Sequence, residues 1–145
     1  MTNFKSMDEV YKYLNNKSVL VMQEVIREVK VEILQAIKTE VYDAYDPLTY
    51  ERRYANKGLA DETNFEVDID FKSDGIEVFI RNNTKPSGEY KQPYLDLMIV
   101  DGTPNMPPRD FYEEARRSLE VKFPLIVQRI FKKHGITSSL KTTIL

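Results

Sequence analysis

The feature that most constrains this chain is a long apolar stripe in its first third. Apolar side chains recur there in steps of three and four residues, which is the spacing of one face of an α-helix. The stripe consists of Met22, Val25, Ile26, Val29, Ile33, Ala36, Ile37, Val41 and Ala44. The opposite side is largely charged, so we predict a helix that begins at Ser18 and packs by one face. It should end at Asp46-Pro47, because proline disfavours the helical conformation of the residue before it.

A shorter helix is predicted before this stripe, within residues 7–16. Its apolar residues stand at helical spacing and are Met7, Val10, Tyr11 and Leu14. Asn15-Asn16-Lys17 follows them, and asparagine favours turns and loops. We therefore expect this helix to be separate from the long one.

In the middle of the chain the spacing of apolar residues changes to two. Apolar and charged residues alternate over residues 65–71, and alternation resumes over residues 76–81. Between these segments stands Asp74-Gly75, a dipeptide that favours a two-residue type I′ turn. The pattern predicts a β-hairpin in which residue 71 pairs with residue 78 and both apolar sets share one face.

This pairing also makes a prediction for the polar face of the hairpin. It sets Lys72 opposite Glu77, and Asp68 opposite Arg81. Cross-strand pairs of opposite charge stabilise a hairpin modestly, so register, turn and charge all favour the same pairing.

The C-terminal half contains an apolar run and a second long amphipathic pattern. Residues 94–100 are apolar but too few to classify by their period, so they allow either a third strand or a buried helical turn. Pro107-Pro108 then opens a helix that should run from about Arg109 to Lys133. Pro124 is expected to bend this helix, and Gly135 to end it.

Two long polar loops and a short tail complete the chain. Residues 46–64 and 82–93 contain proline and glycine and have no clean period, and loops of this length often contact a partner. Residues 136–145 form a tail rich in serine and threonine. A chain of 145 residues fits one domain, residues 1–145. The predicted class is α+β, with a small antiparallel sheet and a β-hairpin flanked by long N-terminal and C-terminal amphipathic helices.

Composition excludes several classes of function. The chain has no cysteine, which removes disulfide scaffolds, thiolate metal sites and cysteine nucleophiles. Its one histidine, His134, stands in a Lys-Lys-His-Gly helix ending, which favours an interaction with the helix dipole over a role as base or metal ligand. A net charge of -2 argues against a generally basic surface for nucleic acid. With no export signal and no long apolar run, we expect a soluble protein made in a cytoplasm, away from membranes.

Two clusters supply the candidate contact residues. In the first cluster two tyrosines flank two adjacent arginines: Tyr50, Arg52, Arg53 and Tyr54. Because the residues around this cluster are not predominantly basic, its composition favours a protein interface over a nucleic-acid surface. The second cluster consists of three acids on one side of the first predicted strand: Glu66, Asp68 and Asp70. Together with Lys72 they allow a metal-dependent nuclease, but the pattern favours a solvated face balanced by cross-strand partners.

The order of these features resembles the small neck proteins of tailed bacteriophages, the tail-completion or head-tail joining family. The likeness covers most of the chain: a long amphipathic helix, a Tyr-Glu-Arg-Arg…Gly-Leu-x-Asp loop at residues 50–61, and a hairpin. The segment from Tyr94 to Gly102 is similar to the family's apolar segment that ends in acid-Gly. Pro108-Arg109-Asp110-Phe111 is similar to the family's Pro-Arg-Pro-Phe helix start.

The resemblance implies a structural virion protein with no enzymatic activity and no cofactor. Such proteins form an oligomeric ring, hexameric or dodecameric, that joins the portal or adaptor to the tail-tube or tail-terminator proteins and lets DNA pass without specific binding. We expect Tyr50, Arg52, Arg53 and Tyr54 at a subunit interface, and Glu66, Asp68 and Asp70 along the lumen. Assembly into the virion would take place in the bacterial host cytoplasm. The alternatives are a small phage-encoded metal-dependent nuclease and an accessory protein that binds a host factor.

Overall fold

The computed structural model describes residues 3–44, 53, 56–72, 75–86, 94–104 and 106–136. Within these ranges the chain forms three α-helices and one two-stranded antiparallel sheet. The elements are α1 (Met7–Ile37), a π-helical turn (Lys38–Tyr42), a 3-10 turn (Glu62–Asn64), β1 (Phe65–Lys72), β2 (Gly75–Asn82), α2 (Leu95–Asp101) and α3 (Phe111–Lys133). The predicted α+β class, with a hairpin between two long helices, is confirmed.

A single helix, α1, replaces the two helices predicted for the N-terminal part. It begins after Ser6, whose hydroxyl oxygen accepts a hydrogen bond from the Glu9 amide at 3.3 Å. The predicted break at Asn15-Asn16-Lys17 was wrong. The predicted start at Ser18 was also wrong, because its hydroxyl donates to the Leu14 carbonyl at 2.8 Å inside the helix. Asparagine lowers helix stability by only about 0.7 kcal/mol per residue, which is less than the loss of hydrogen bonds at two additional helix ends.

The end of α1 continues into the π-helical turn, so helical structure reaches Tyr42. The Asp43 amide donates to the Lys38 carbonyl at 2.8 Å and closes this turn. The predicted helix end at Asp46-Pro47 lies outside the described residues.

The two long helices pack side by side in antiparallel orientation. Three ion pairs mark this orientation: Glu24 with Lys133 at 3.0 Å, Glu28 with Arg129 at 3.3 Å, and Glu32 with Lys122 at 2.9 Å. Between the helices lies a buried cluster of Val21, Val25, Leu119, Ile126, Val127 and Ile130. A second cluster joins the other end of the pair to α2 and the base of the hairpin, and contains Ile33, Ala36, Ile37, Val41, Leu59, Phe65, Ile99, Phe111 and Ala115. Val25, Ile33, Ala36, Ile37 and Val41 of the predicted long stripe thus belong to the core. Ala44 at the end of that stripe is exposed, and so are Met7, Tyr11 and Leu14 of the shorter pattern before it.

The ends of α3 lie close to the predicted residues. Asp110 caps its first turn through its side chain, and Pro124 lies inside the helix. At the other end, Gly135 has a φ of +72° and the Ile136 amide donates to the Phe131 carbonyl at 2.9 Å. This is a Schellman motif, so the prediction that Gly135 ends the helix is confirmed. No helix among the described residues has the length of apolar sequence that a bilayer crossing requires.

The apolar run at residues 94–100 is helical, which decides between the two structures that the sequence allowed. It forms α2, which ends at Gly102 with a φ of +78°. The Arg109 amide donates to the Ile99 carbonyl at 2.8 Å, so the segment before α3 is held against α2.

The hairpin has a register two residues away from the predicted one. Phe71 pairs with Ile76, and Lys72 pairs with Gly75, so the strands are linked by residues 73–74 and not by Asp74-Gly75. Gly75 also lacks the positive φ that a type I′ turn requires. A shift of two residues keeps every side chain on its face, so the apolar and polar faces remain as predicted.

Candidate functional site

The hairpin extends away from the core, and its exposure rises toward its tip. Its base is buried, because Phe65 belongs to the core and Asn82 is inaccessible to solvent. Nearer the tip, Ile76 and Phe71 are 36% and 52% exposed. An isolated two-stranded hairpin is only marginally stable in water. This hairpin therefore depends on its base, and its distal half is available for contacts.

One face of the hairpin is acidic and exposed. Glu66, Asp68 and Asp70 alternate along β1, and all three are exposed on the face opposite the apolar one. Phe79 of β2 pairs with Asp68 and is itself 57% exposed. The structure therefore brings the three predicted acids together on one solvent-facing surface that also contains an aromatic ring.

Two cations, Lys72 and Arg81, lie on this face of the hairpin. The predicted placement of Lys72 opposite Glu77 was wrong, because the register places Asp70 opposite Glu77. Lys72 Nζ nevertheless lies 2.7 Å from Glu77 Oε2 across the strands. The predicted pairing of Asp68 with Arg81 was wrong, because the register places Arg81 opposite Glu66. Exposed ion pairs contribute little to stability, so the main consequence of these charges is a net negative face.

A buried polar network holds the base of the hairpin. Asn82 Nδ2 donates to the Leu59 carbonyl at 2.7 Å, and Asn82 Oδ1 accepts from the Thr84 amide at 3.0 Å. The Thr84 hydroxyl donates to the Gly58 carbonyl at 3.1 Å. A buried group that loses its partner costs about 1–3 kcal/mol, so these bonds fix the end of β2 against the segment before β1.

Asp96 connects the hairpin to α2 and α3. The Tyr112 hydroxyl donates to Asp96 Oδ2 at 2.7 Å and accepts from the backbone amide of Asn82 at 3.0 Å. Burial raises the pKa of Tyr112 far above its ordinary value, so its hydroxyl keeps the proton it donates. Arg81 Nε lies 3.8 Å from the same Oδ2, and its guanidinium lies over the Tyr94 ring at 4.1 Å. Among the described residues, Oδ1 of Asp96 has no hydrogen-bond partner.

The predicted subunit-interface residues are described only in part. Tyr50, Arg52 and Tyr54 lie outside the described residues. Arg53 Nη2 donates to the Lys85 carbonyl at 2.7 Å, so this guanidinium connects the two predicted loops within one chain. The assignment of these four residues to a subunit interface stays a prediction.

The sequence interpretation missed the residues that anchor the hairpin. Asp96 gave a usable signal, because it is a charged residue within the apolar run 94–100 and a buried charge needs a partner. Asn82 and Tyr112 gave no such signal. Their hydrogen bond joins residues 30 positions apart, which no local pattern reports.

His134 lies at the end of α3 as predicted, and it also contacts α1. Its Nε2 is 2.9 Å from Glu24 Oε1, and Lys133 Nζ is 3.0 Å from Glu24 Oε2. Hydrogen bonds from Lys133, which has the larger effect, and from His134 hold the pKa of Glu24 below its usual 4.5. The end of α3 is thus joined to α1 by a carboxylate that stays ionised.

Acidification is expected to weaken this contact. Because the pKa of Glu24 is lower in the folded state, its contribution to stability is present above the unfolded value near 4.5 and is lost as pH falls through the folded value. Glu24→Gln should therefore reduce the loss of stability between neutral and acidic pH, measured by urea unfolding. Glu62→Gln, at an exposed position, should leave that loss unchanged. An identical pH dependence in both variants would contradict the prediction.

A family model matches most of this chain. The model, described as YomN, matches residues 6–133. The match begins at Ser6, which caps α1, and ends at Lys133, the last residue of α3, so it covers the helices and the hairpin together. No curated protein and no solved structure matches the chain.

Proposed function

This chain belongs to the YomN family, and on that premise we propose that it is a non-enzymatic structural protein of a tailed-phage virion. The family name is that of a Bacillus phage-derived prophage protein family, so the chain is phage-associated. In the proposal, copies of the chain form an oligomeric ring at the head-tail interface, which joins the connector to the tail and lets DNA pass.

The two-faced hairpin is the observation that carries this proposal. It extends from a core of two long helices and has acids on one exposed face and apolar residues on the other. A ring subunit needs one surface toward the lumen and others toward its neighbours. Head-to-tail contacts that close on themselves then produce the ring.

The acidic face suits the wall of a channel for DNA. A basic wall would release counterions from the DNA and bind its phosphates tightly, which would slow its passage. A wall lined by Glu66, Asp68 and Asp70 repels phosphates instead. In the proposal, these three side chains line the lumen of the ring.

Lys72 supports a structural over a nuclease function. In a metal-dependent nuclease with this arrangement of acids, a lysine would steady a hydroxide or the scissile phosphate. The Lys72 ammonium is instead 2.7 Å from Glu77 and 3.9 Å from Asp70, at the distal end of the hairpin. Magnesium-dependent DNA cleavage that is abolished by Asp70→Ala would contradict the structural proposal.

The ring proposal is tested in the phage particle. Deletion of the gene should give filled heads and free tails that do not join, and complementation should restore joined particles. A reconstruction of the mature particle should place a ring of this chain at the neck. Normal particles without the protein, together with capture of one host factor by the purified chain, would instead establish the accessory-protein alternative.

Neutralising the acidic face is expected to slow DNA ejection while joined particles still form. The variant carries Glu66→Gln, Asp68→Asn and Asp70→Asn, and these exposed positions should tolerate the change. The Asp68→Lys variant should slow ejection more strongly, because it adds an attraction for phosphate. The matched control neutralises three exposed acids elsewhere: Asp43, Glu62 and Glu114. Equal ejection rates in all particles would exclude these acids from the lumen.

A further inference from the structure

Two apolar surfaces lie toward opposite ends of the α1–α3 pair without a partner among the described residues. The first is the arm, which we define as residues 3–20. Because Lys133 and His134 contact Glu24, α3 ends level with that residue and the arm lies beyond it. Met7, Tyr11 and Leu14 of the arm are 63%, 60% and 50% exposed.

The exposed stripe on the arm continues an existing interface. One side of α1 carries, in order, Met7, Leu14, Val21 and Val25. Their separations correspond to about whole turns of the helix, so these side chains line up along its axis. Val21 and Val25 are buried against α3. The arm therefore presents, without α3, the same kind of surface that packs on α3 further along.

The second surface is the apolar face of the hairpin. Ile69 and Val78 on this face are half-buried, and Phe71 and Ile76 beyond them are exposed. The apolar face is about 14 Å long from Val67 to Phe71, and the stripe from Met7 to Leu14 is about 10 Å long. The two surfaces are therefore similar in length.

One copy of the chain does not bring these surfaces together. The base of the hairpin packs with Ile33 and Ile37, and even the nearer of these, Ile33, is about 28 Å along α1 from Leu14. Leu14 and Phe71 both remain at least half exposed. A contact between the two surfaces therefore requires a second copy.

Charge favours the pairing of unlike surfaces. In the arm, Lys5, Lys12 and Lys17 against Asp8 and Glu9 leave one net positive charge. In β1 and β2, Glu66, Asp68, Asp70 and Glu77 against Lys72 and Arg81 leave two net negative charges. The N-terminus of α1 adds partial positive charge at the end of the arm. Two hairpins would repel each other, whereas an arm and a hairpin attract.

We propose that the arm of one copy packs on the apolar hairpin face of the next copy. This inference rests on the proposed ring function and specifies its subunit contact. The contact joins two different patches, so it repeats around an axis as a ring requires. It covers the apolar face of each hairpin and leaves the acidic face open toward the lumen.

The absence of cysteine from the sequence allows a direct test by cross-linking. Purified Leu14→Cys is mixed with purified Ile76→Cys, and the mixture is oxidised or treated with a short bis-maleimide. Both positions are exposed, so the variants should fold, which circular dichroism verifies. The expected product is a heterodimer with Cys at 14 in one copy and at 76 in the other, identified by peptide mass spectrometry.

A matched control uses Leu20→Cys in place of Leu14→Cys. Leu20 is 58% exposed but lies on another side of α1, so it should give little heterodimer. Leu14→Ala should also weaken self-association by about tenfold or more in sedimentation velocity, whereas Leu20→Ala should not. Homodimers of Leu14→Cys alone, or no difference between positions 14 and 20, would overturn the proposed contact. Absence of the chain from the virion would overturn the ring function even if the heterodimer forms.

Discussion

Replacing Phe111 with alanine is expected to lower the free energy of unfolding by about 3–5 kcal/mol. Phe111 is the first residue of α3 and is fully buried in the cluster that joins α1, α2 and the hairpin base. The centroid of its ring lies 4.4 Å from that of Tyr112, whose hydroxyl donates a hydrogen bond to Asp96. The substitution leaves a cavity at the point where the hairpin is anchored. Because domains of this size have a total stability of about 5–15 kcal/mol, the loss is a large share of the whole.

Phe79→Ala provides the matched control for this prediction. It removes the same side chain from a position that is 57% exposed on the acidic face of the hairpin. Its effect should stay within about 0.5 kcal/mol, which is usual for surface positions. Both variants are measured by urea unfolding at neutral pH. Similar losses at the two positions would contradict the buried position of Phe111.

The core could be predicted from the sequence because periodicity reports which side of a helix is buried. Val25, Ile33 and Ala36 belong to the predicted stripe, and all three are buried. The division of α1 into two helices was wrong because it relied on the local preference of Asn15-Asn16. Helix formation is cooperative, so two weak residues do not interrupt a helix whose later turns are packed.

The hairpin register was wrong for a different reason. Alternation assigns faces but cannot distinguish two registers that differ by two residues, so the turn dipeptide decided the prediction. The same alternation was sufficient for the candidate site, since it placed Glu66, Asp68 and Asp70 on one exposed face. The sequence indicates that Asp96 needs a partner, but the partners of Asn82 and Asp96 in the buried anchor could not be predicted, because they come from distant segments of the chain.

The short motifs behind the resemblance to neck proteins meet in one corner of the fold. Gly102 ends α2 with a φ of +78° and a ψ of 172°, a conformation that is essentially confined to glycine. An added Cβ would lie 2.7 Å from the Pro108 backbone nitrogen and 3.0 Å from the Met106 carbonyl oxygen. The acid-Gly and Pro-Arg segments are therefore in direct backbone contact. This contact sets how closely α2, which contains Asp96, approaches α3.

Gly102→Ala is accordingly expected to lower the free energy of unfolding by about 2–6 kcal/mol, from backbone strain together with overpacking against backbone atoms that cannot rotate away. Gly75→Ala is the matched control, because Gly75 has no positive φ and its Cβ would meet no atom within 4 Å. Its effect should stay within about 1 kcal/mol. Hydrogen exchange should show the loss in Gly102→Ala first at α2 and at the hairpin base, since Asp96 moves with α2. Equal stability of the two alanine variants would mean that α2 and α3 do not depend on this corner for their approach.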